Sequence, residues 1–220
     1  MMKRDVGDPA FPIWLLGDSN PPQWEGVLTT PLDPRHPARH SIWTPVLDQI
    51  QDRVYRLCGD RMDTSSLYIR NAVASATDKP AGKTKEWVLA SREAAAFREL
   101  LDEHRPVLLI SFGAFSFEFA RRVLAEEPQR PYAHWGARGL GEQFRERVCS
   151  FDLSRTNLLP LLHVSIARGK FIQSHEYFCG RENANYFCYV GDTIGEILVR
   201  HRHALPVWIA RAGEASLPSC

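Results

Sequence analysis

Apolar residues in this chain gather in short runs that each stop just before a small or polar group. Four such runs, at residues 12–16, 67–69, 107–110 and 158–162, lead into Gly17, Asn71, Gly113 and His163. A strand buried on both faces of a parallel sheet reads this way, because neither face alternates with water. Pro160 falls inside the last run and has no N–H to give a neighbouring strand. That strand is therefore expected to begin at or after it.

Between the runs the spacing changes to a helical period. Trp43, Val46, Leu47 and Ile50 share one helix face, which Tyr55 extends. Val88, Phe97, Leu100 and Leu101 mark a second helix within 85–103, and Phe117, Ala120, Val123 and Leu124 a third. The last, about 183–201, aligns Ile194, Ile197, Leu198 and His201, with Gly191 and Gly195 weakening its middle. Residues 22–40 and 126–147 are rich in proline or glycine and read as loops. The alternation predicts the α/β class, as a three-layer α/β/α sandwich around a central, mainly parallel four-stranded sheet.

At 220 residues the chain is long enough for one domain with a full core, so residues 1–220 are read as a single unit. The formal charge of +1 gives no general attraction to polyanions, and any contact with nucleic acid must come from a local basic face. No stretch approaches the ~18 apolar residues of a membrane span, and the polar start has no signal-peptide core, so a cytoplasmic protein is expected. The five cysteines include no C-x-x-C pair, which argues for reduced thiols and against a metal site or a disulfide framework.

In an open parallel sheet, ligands bind outside the carboxyl ends of the strands. The first run is followed by Gly17-Asp18-Ser19-Asn20-Pro21 and the second by Asn71-Ala72-Val73. Gly113-Ala114 follows the third, and the fourth leads into His163-Val164-Ser165 and then Arg168-Gly169-Lys170-Phe171. An acid or amide, a second amide and a histidine are thereby expected at one sheet edge.

This order of motifs resembles the uracil-DNA glycosylase superfamily over most of the chain, about residues 13–198. The Asn20-Pro21 pair is similar to the turn of the mismatch-specific and single-strand-selective branches, and His36-Pro37-Ala38-Arg39 before Ile42-Trp43 to a segment of the mismatch-specific branch. Asn71 is similar to the asparagine that reads the uracil edge, and His163-Val164-Ser165 resembles a His-Pro-Ser motif in which Val164 replaces the proline. Asp18 stands one residue after Gly17, where the commonest branch has its acid two after, and Ser19 takes that second place. Some relatives hold an iron–sulfur cluster, which needs four close thiolates that this spacing does not supply. The resemblance implies a monomeric enzyme of base-excision repair that takes uracil, or another deaminated base, out of DNA without a cofactor.

Hydrolysis of the bond between deoxyribose and base leaves positive charge on the sugar and negative charge on the base. Asp18 would stabilise the sugar cation and hold the attacking water, whereas Asn20 would only position that water. His163 would donate to the carbonyl oxygen of the departing base. The base must leave the duplex first, with Asn71 reading its edge and Trp24, or alternatively Trp43, stacking on it. Ser165 would bond phosphate, Ile166 would wedge into the gap, and Arg168 and Lys170 would add local positive charge.

Taken singly, each residue has a commonplace explanation. Asp18 and Ser19 suit a turn or cap, Asn71 a turn, His163 and the tryptophans a core, and Arg168 and Lys170 a solvated surface. Gly17-Asp18-Ser19 is also similar to the opening of the GDSL-type esterases, with Ser19 as nucleophile. The late Asp-x-x-His of that family is missing, since Gly195 stands three residues after Asp192 and Arg155 three after Asp152. A non-catalytic binder of damaged or abasic DNA is the remaining alternative.

Overall fold

The computed structural model describes residues 5–19, 35, 43–84, 86–167 and 172–209. A two-residue strand β1 (Asp5–Val6) precedes four strands that coincide with the apolar runs: β2 (Ile13–Gly17), β3 (Tyr68–Asn71), β4 (Leu108–Phe112) and β5 (Asn157–Leu161). Every residue of β2, β4 and β5 is buried. They form one sheet in the order β1-β3-β2-β4-β5, parallel from β3 to β5.

Among the described residues the sheet has five strands where four were expected. β1 runs antiparallel along β3, pairing Asp5 with Arg70 and Val6 with Ile69, and the Tyr68 hydroxyl donates to Asp5 Oδ2 at 2.8 Å. Two residues are too few to leave a periodic signal, so only tertiary contacts define this strand. Pro160 also falls differently: β5 starts at Asn157, and Pro160 lies within it opposite Ser111. β5 is an edge strand, and an edge strand tolerates a missing N–H.

The helices are α1 (Thr44–Cys58), α2 (Val88–His104), α3 (Ala114–Val123), α4 (Ala137–Cys149), α5 (Val164–Ala167), α6 (Ile172–Cys179) and α7 (Tyr186–Arg200). α1, α2, α3 and α7 match the helical spacing. α4 corrects the second part of the loop expected over 126–147, while 126–136 holds no element beyond a 3-10 turn at Tyr132–His134. In α4, Gly141 serves packing rather than chain reversal: a Cβ there would lie 2.0 Å from the carbonyl oxygen of Phe178, so only glycine lets α4 press against α6. The loop expected over 22–40 lies outside the described residues, apart from Arg35.

α1 and α7 meet by the same device. A Cβ on Gly191 would stand 2.3 Å from the Cβ of Gln49, and one on Gly195 2.9 Å from the Cβ of Arg53. Arg53 closes this contact by an ion pair with Glu196. The close approach presses Val46, Ile50 and Val54 of α1 into the core, and each such burial contributes about 1.5–3 kcal/mol. Trp43, directly before α1, is fixed along with them. Among the described residues no helix is long and apolar enough to cross a membrane.

Replacing Gly191 by Ala should therefore force α1 and α7 apart and destabilise the fold by about 1–3 kcal/mol. Urea unfolding measures this directly, and a midpoint equal to that of the unsubstituted chain contradicts the packing described.

Candidate functional site

Parallel pairing carries the strand ends to one edge of the sheet. Gly17 lies opposite Asn71, Leu16 opposite Ser111, and Phe112 opposite Leu161. The ladders continue past the strands: Ala72 N–H donates to the Gly17 carbonyl at 2.9 Å, Val73 N–H to the Asp18 carbonyl at 3.2 Å, and Gly113 N–H to the Leu161 carbonyl at 2.8 Å. Backbone bonds thus hold the turn bearing Asp18 against the one that follows Asn71. They also bring Gly113 to the end of β5, beside His163.

Gly113 has φ 99°, a region that side chains other than glycine rarely adopt, and a Cβ there would be 2.8 Å from the Cβ of His163. The histidine rests directly on this bare backbone. Its Nδ1 accepts from the Ser165 N–H at 3.3 Å and lies 2.9 Å from the Ser165 hydroxyl. An amide N–H can only donate, so the neutral ring carries its proton on Nε2. Burial lowers the pKa of His163 below the ordinary histidine value; Asp18 pulls it upward and Lys79 pushes it down. Near neutral pH the ring is an uncharged donor through Nε2.

Asp18 shares its carboxylate unequally. Oδ2 accepts from Lys79 Nζ at 2.8 Å, with both side chains largely buried. Oδ1 is buried and accepts no hydrogen bond among the described residues. A buried acceptor without a donor costs about 1–3 kcal/mol and suits a ligand or water as its partner. Lys79 follows a 3-10 turn, Ala76–Asp78, closed by a capping box between Ser75 and Asp78. Its ammonium lies 5.1 Å from the ring centre of Phe115 and 5.9 Å from that of Tyr132, within cation–π range of both.

Tyr132 belongs to a second 3-10 turn, Tyr132–His134, that is fastened to α3. Glu118 of α3 is fully buried. Its Oε2 accepts from Arg121 at 2.8 Å and from Trp135 Nε1 at 2.8 Å, and its Oε1 from Arg122 at 3.2 Å and from the Arg130 N–H at 2.7 Å. Ala133 N–H then donates to the Gly82 carbonyl at 3.0 Å, tying this wall to the loop that carries Lys79. With both oxygens satisfied, the buried charge fastens residues 130–135 to α3.

Asn71 stands half-buried at the end of β3, its Oδ1 only 2.3 Å from where a Gly17 Cβ would be. Only glycine leaves room there for the carboxamide. Trp43 is 5 % exposed and packs on Phe112 with ring centres 4.6 Å apart, forming a floor beneath Gly17. Ser165 is exposed on α5 with its hydroxyl on His163, and Ile166 is partly buried against the core. Asn20, Trp24, Arg168 and Lys170 lie outside the described residues.

Lys79, Phe115, Tyr132 and Glu118 were not anticipated from the sequence. The Ser75-Ala76-Thr77-Asp78 spacing could have marked the turn before Lys79. Nothing local marks a lysine 61 residues beyond Asp18 as its partner. Compared with known proteins, the chain matches no protein-family model and no curated sequence.

Proton NMR of the His163 ring should give a titration midpoint below the ordinary value of about 6.5. The folded state then resists protonation, so this group's contribution to stability is complete above pH ~6.5 and declines as pH falls toward the folded midpoint. A midpoint at or above 6.5 contradicts the partly buried, neutral ring.

Proposed function

We propose that this chain is a DNA glycosylase that flips uracil, or another deaminated base, out of DNA and hydrolyses its N-glycosidic bond. The observation that carries the reading is the meeting of two groups at one sheet edge: a neutral imidazole with its proton on Nε2, and a carboxylate with one oxygen unused among the described residues. The two lie close enough for Asp18 to influence the titration of His163. Cleavage that separates charge between sugar and base needs a donor at one end and an anion at the other.

In this mechanism His163 donates from Nε2 to the carbonyl oxygen of the departing base, which gathers negative charge as the bond breaks. Asp18 stabilises the sugar cation and takes a proton from the attacking water. The Asn71 carboxamide offers a donor and an acceptor to the base edge. Stacking falls to Trp24, with Trp43 as the alternative, and Asn20 is the other residue suited to hold water. Ser165, Ile166, Arg168 and Lys170 face the DNA in this reading, while the Ser165 hydroxyl also steadies His163. The finer architecture that goes with it is a three-layer α/β/α sandwich.

Single-turnover assays on oligonucleotides bearing one uracil, as single strand and as duplex, should yield alkali-sensitive sites. His163→Ala should slow this by ~100-fold or more, the usual loss when one stabilising donor is removed. DNA binding without strand cleavage would instead mark a damage binder. In the same assay Asn71→Asp should weaken uracil excision and admit cytosine, because an acceptor replaces a donor; unchanged rate and selectivity would remove Asn71 from the pocket.

A further inference from the structure

We propose that Lys79 is a positioning residue for Asp18, holding Oδ2 so that Oδ1 is the atom that acts on the attacking water, and that this role belongs to Asp18 rather than Asn20. The inference rests on the glycosylase reading and deepens it.

A carboxylate at the end of a strand has two chemically equal oxygens and a side chain free to turn. Here that equality is broken. Oδ2 is engaged at 2.8 Å by an amine from a different part of the chain, whereas Oδ1 stays buried and accepts nothing among the described residues. A group held at one oxygen presents the other in a fixed direction, and such orientation is worth as much as the chemistry itself: a misplacement of about 1 Å can cost ~100-fold in rate.

Lys79 is in turn poorly free to move. The capping box before it fixes its backbone, and the rings of Phe115 and Tyr132 stand within 5.1 Å and 5.9 Å of its ammonium. The Tyr132 wall is fastened through Trp135 and Arg130 to the buried Glu118. Among the described residues, the charges facing His163 from neighbouring elements are Asp18 after β2 and Lys79 after the 3-10 turn, opposite in sign. Lys79 therefore steers the carboxylate while offsetting the pull that Asp18 exerts on the imidazole proton.

Lys79→Met, Lys79→Arg, Asp18→Asn and the double variant Asp18→Asn with Lys79→Met test this on the whole chain, with urea midpoints confirming folding. With a uracil oligonucleotide at saturation, Lys79→Met should slow single-turnover excision by ~10–100-fold while the Kd for DNA stays within about twofold. Lys79→Arg should restore part of the rate. The double variant should be no slower than Asp18→Asn alone, since Lys79 acts on the water only through Asp18 and His163 stays neutral at the assay pH. The His163 midpoint should rise in Lys79→Met and fall in Asp18→Asn.

Full speed in Lys79→Met, a loss residing wholly in Kd, or losses that multiply in the double variant would each overturn the role of Lys79. An Asp18→Asn variant at full speed would return the water to Asn20 and overturn it as well. Failure of the glycosylase reading is recognised separately, by a folded unsubstituted chain that excises nothing, and the role in water handling falls with it. An unfolded Lys79→Met leaves the decision to Lys79→Arg, which keeps the charge: a rate below one-hundredth of the unsubstituted chain, with an unmoved His163 midpoint, also counts against the proposal.

Discussion

The pairing of β2 with both of its neighbours is the constraint on which the site depends. β2 lies between β3 and β4, all five of its residues are buried, and its register is fixed on each side by a parallel ladder. A slip of one residue would turn each side chain to the opposite face, so the burial of both faces and the ladders define one another. The carbonyls of Gly17 and Asp18 carry the ladder beyond the strand, and they hold the turn that bears the carboxylate. Asp18, Asn71 and His163 reach one edge of the sheet because the strands that carry them run parallel in this register.

Elements buried on both faces were legible in the sequence, because continuous burial leaves a continuous apolar run. The strand ends followed from them, and with those ends came the positions of Asp18, Asn71 and His163. Elements defined by contact rather than by pattern were not legible. β1 is too short for periodicity, and Gly141 looks like a helix breaker until Phe178 is seen pressing on it. Pro160 looked forbidden because nothing in the sequence says which strand lies at the edge. Lys79 was invisible for the same kind of reason: an ion pair between residues 18 and 79 has no local signature.

Among the described residues, electrostatics at the strand ends is a balance of Asp18, Lys79 and His163. Asp18 favours the imidazolium form of His163, while Lys79 and burial oppose it, and the outcome is a ring kept neutral. A neutral ring donates a hydrogen bond without contributing a charge that would need compensation in a site of low dielectric. Ser165 completes the arrangement by setting the tautomer through its backbone N–H, a contact that survives replacement of its side chain. The histidine is thereby oriented from two directions, by the bare backbone of Gly113 below and by the start of α5 beside it.

The buried Glu118 has a consequence for binding entropy. Because Arg121, Arg122, Trp135 and the Arg130 amide all converge on one carboxylate, the segment that carries Tyr132 is ordered as the chain folds. A ligand arriving at the strand ends meets that wall already in place and loses no affinity to assembling it. The same rigidity holds the Tyr132 ring beside the Lys79 ammonium before any ligand is bound.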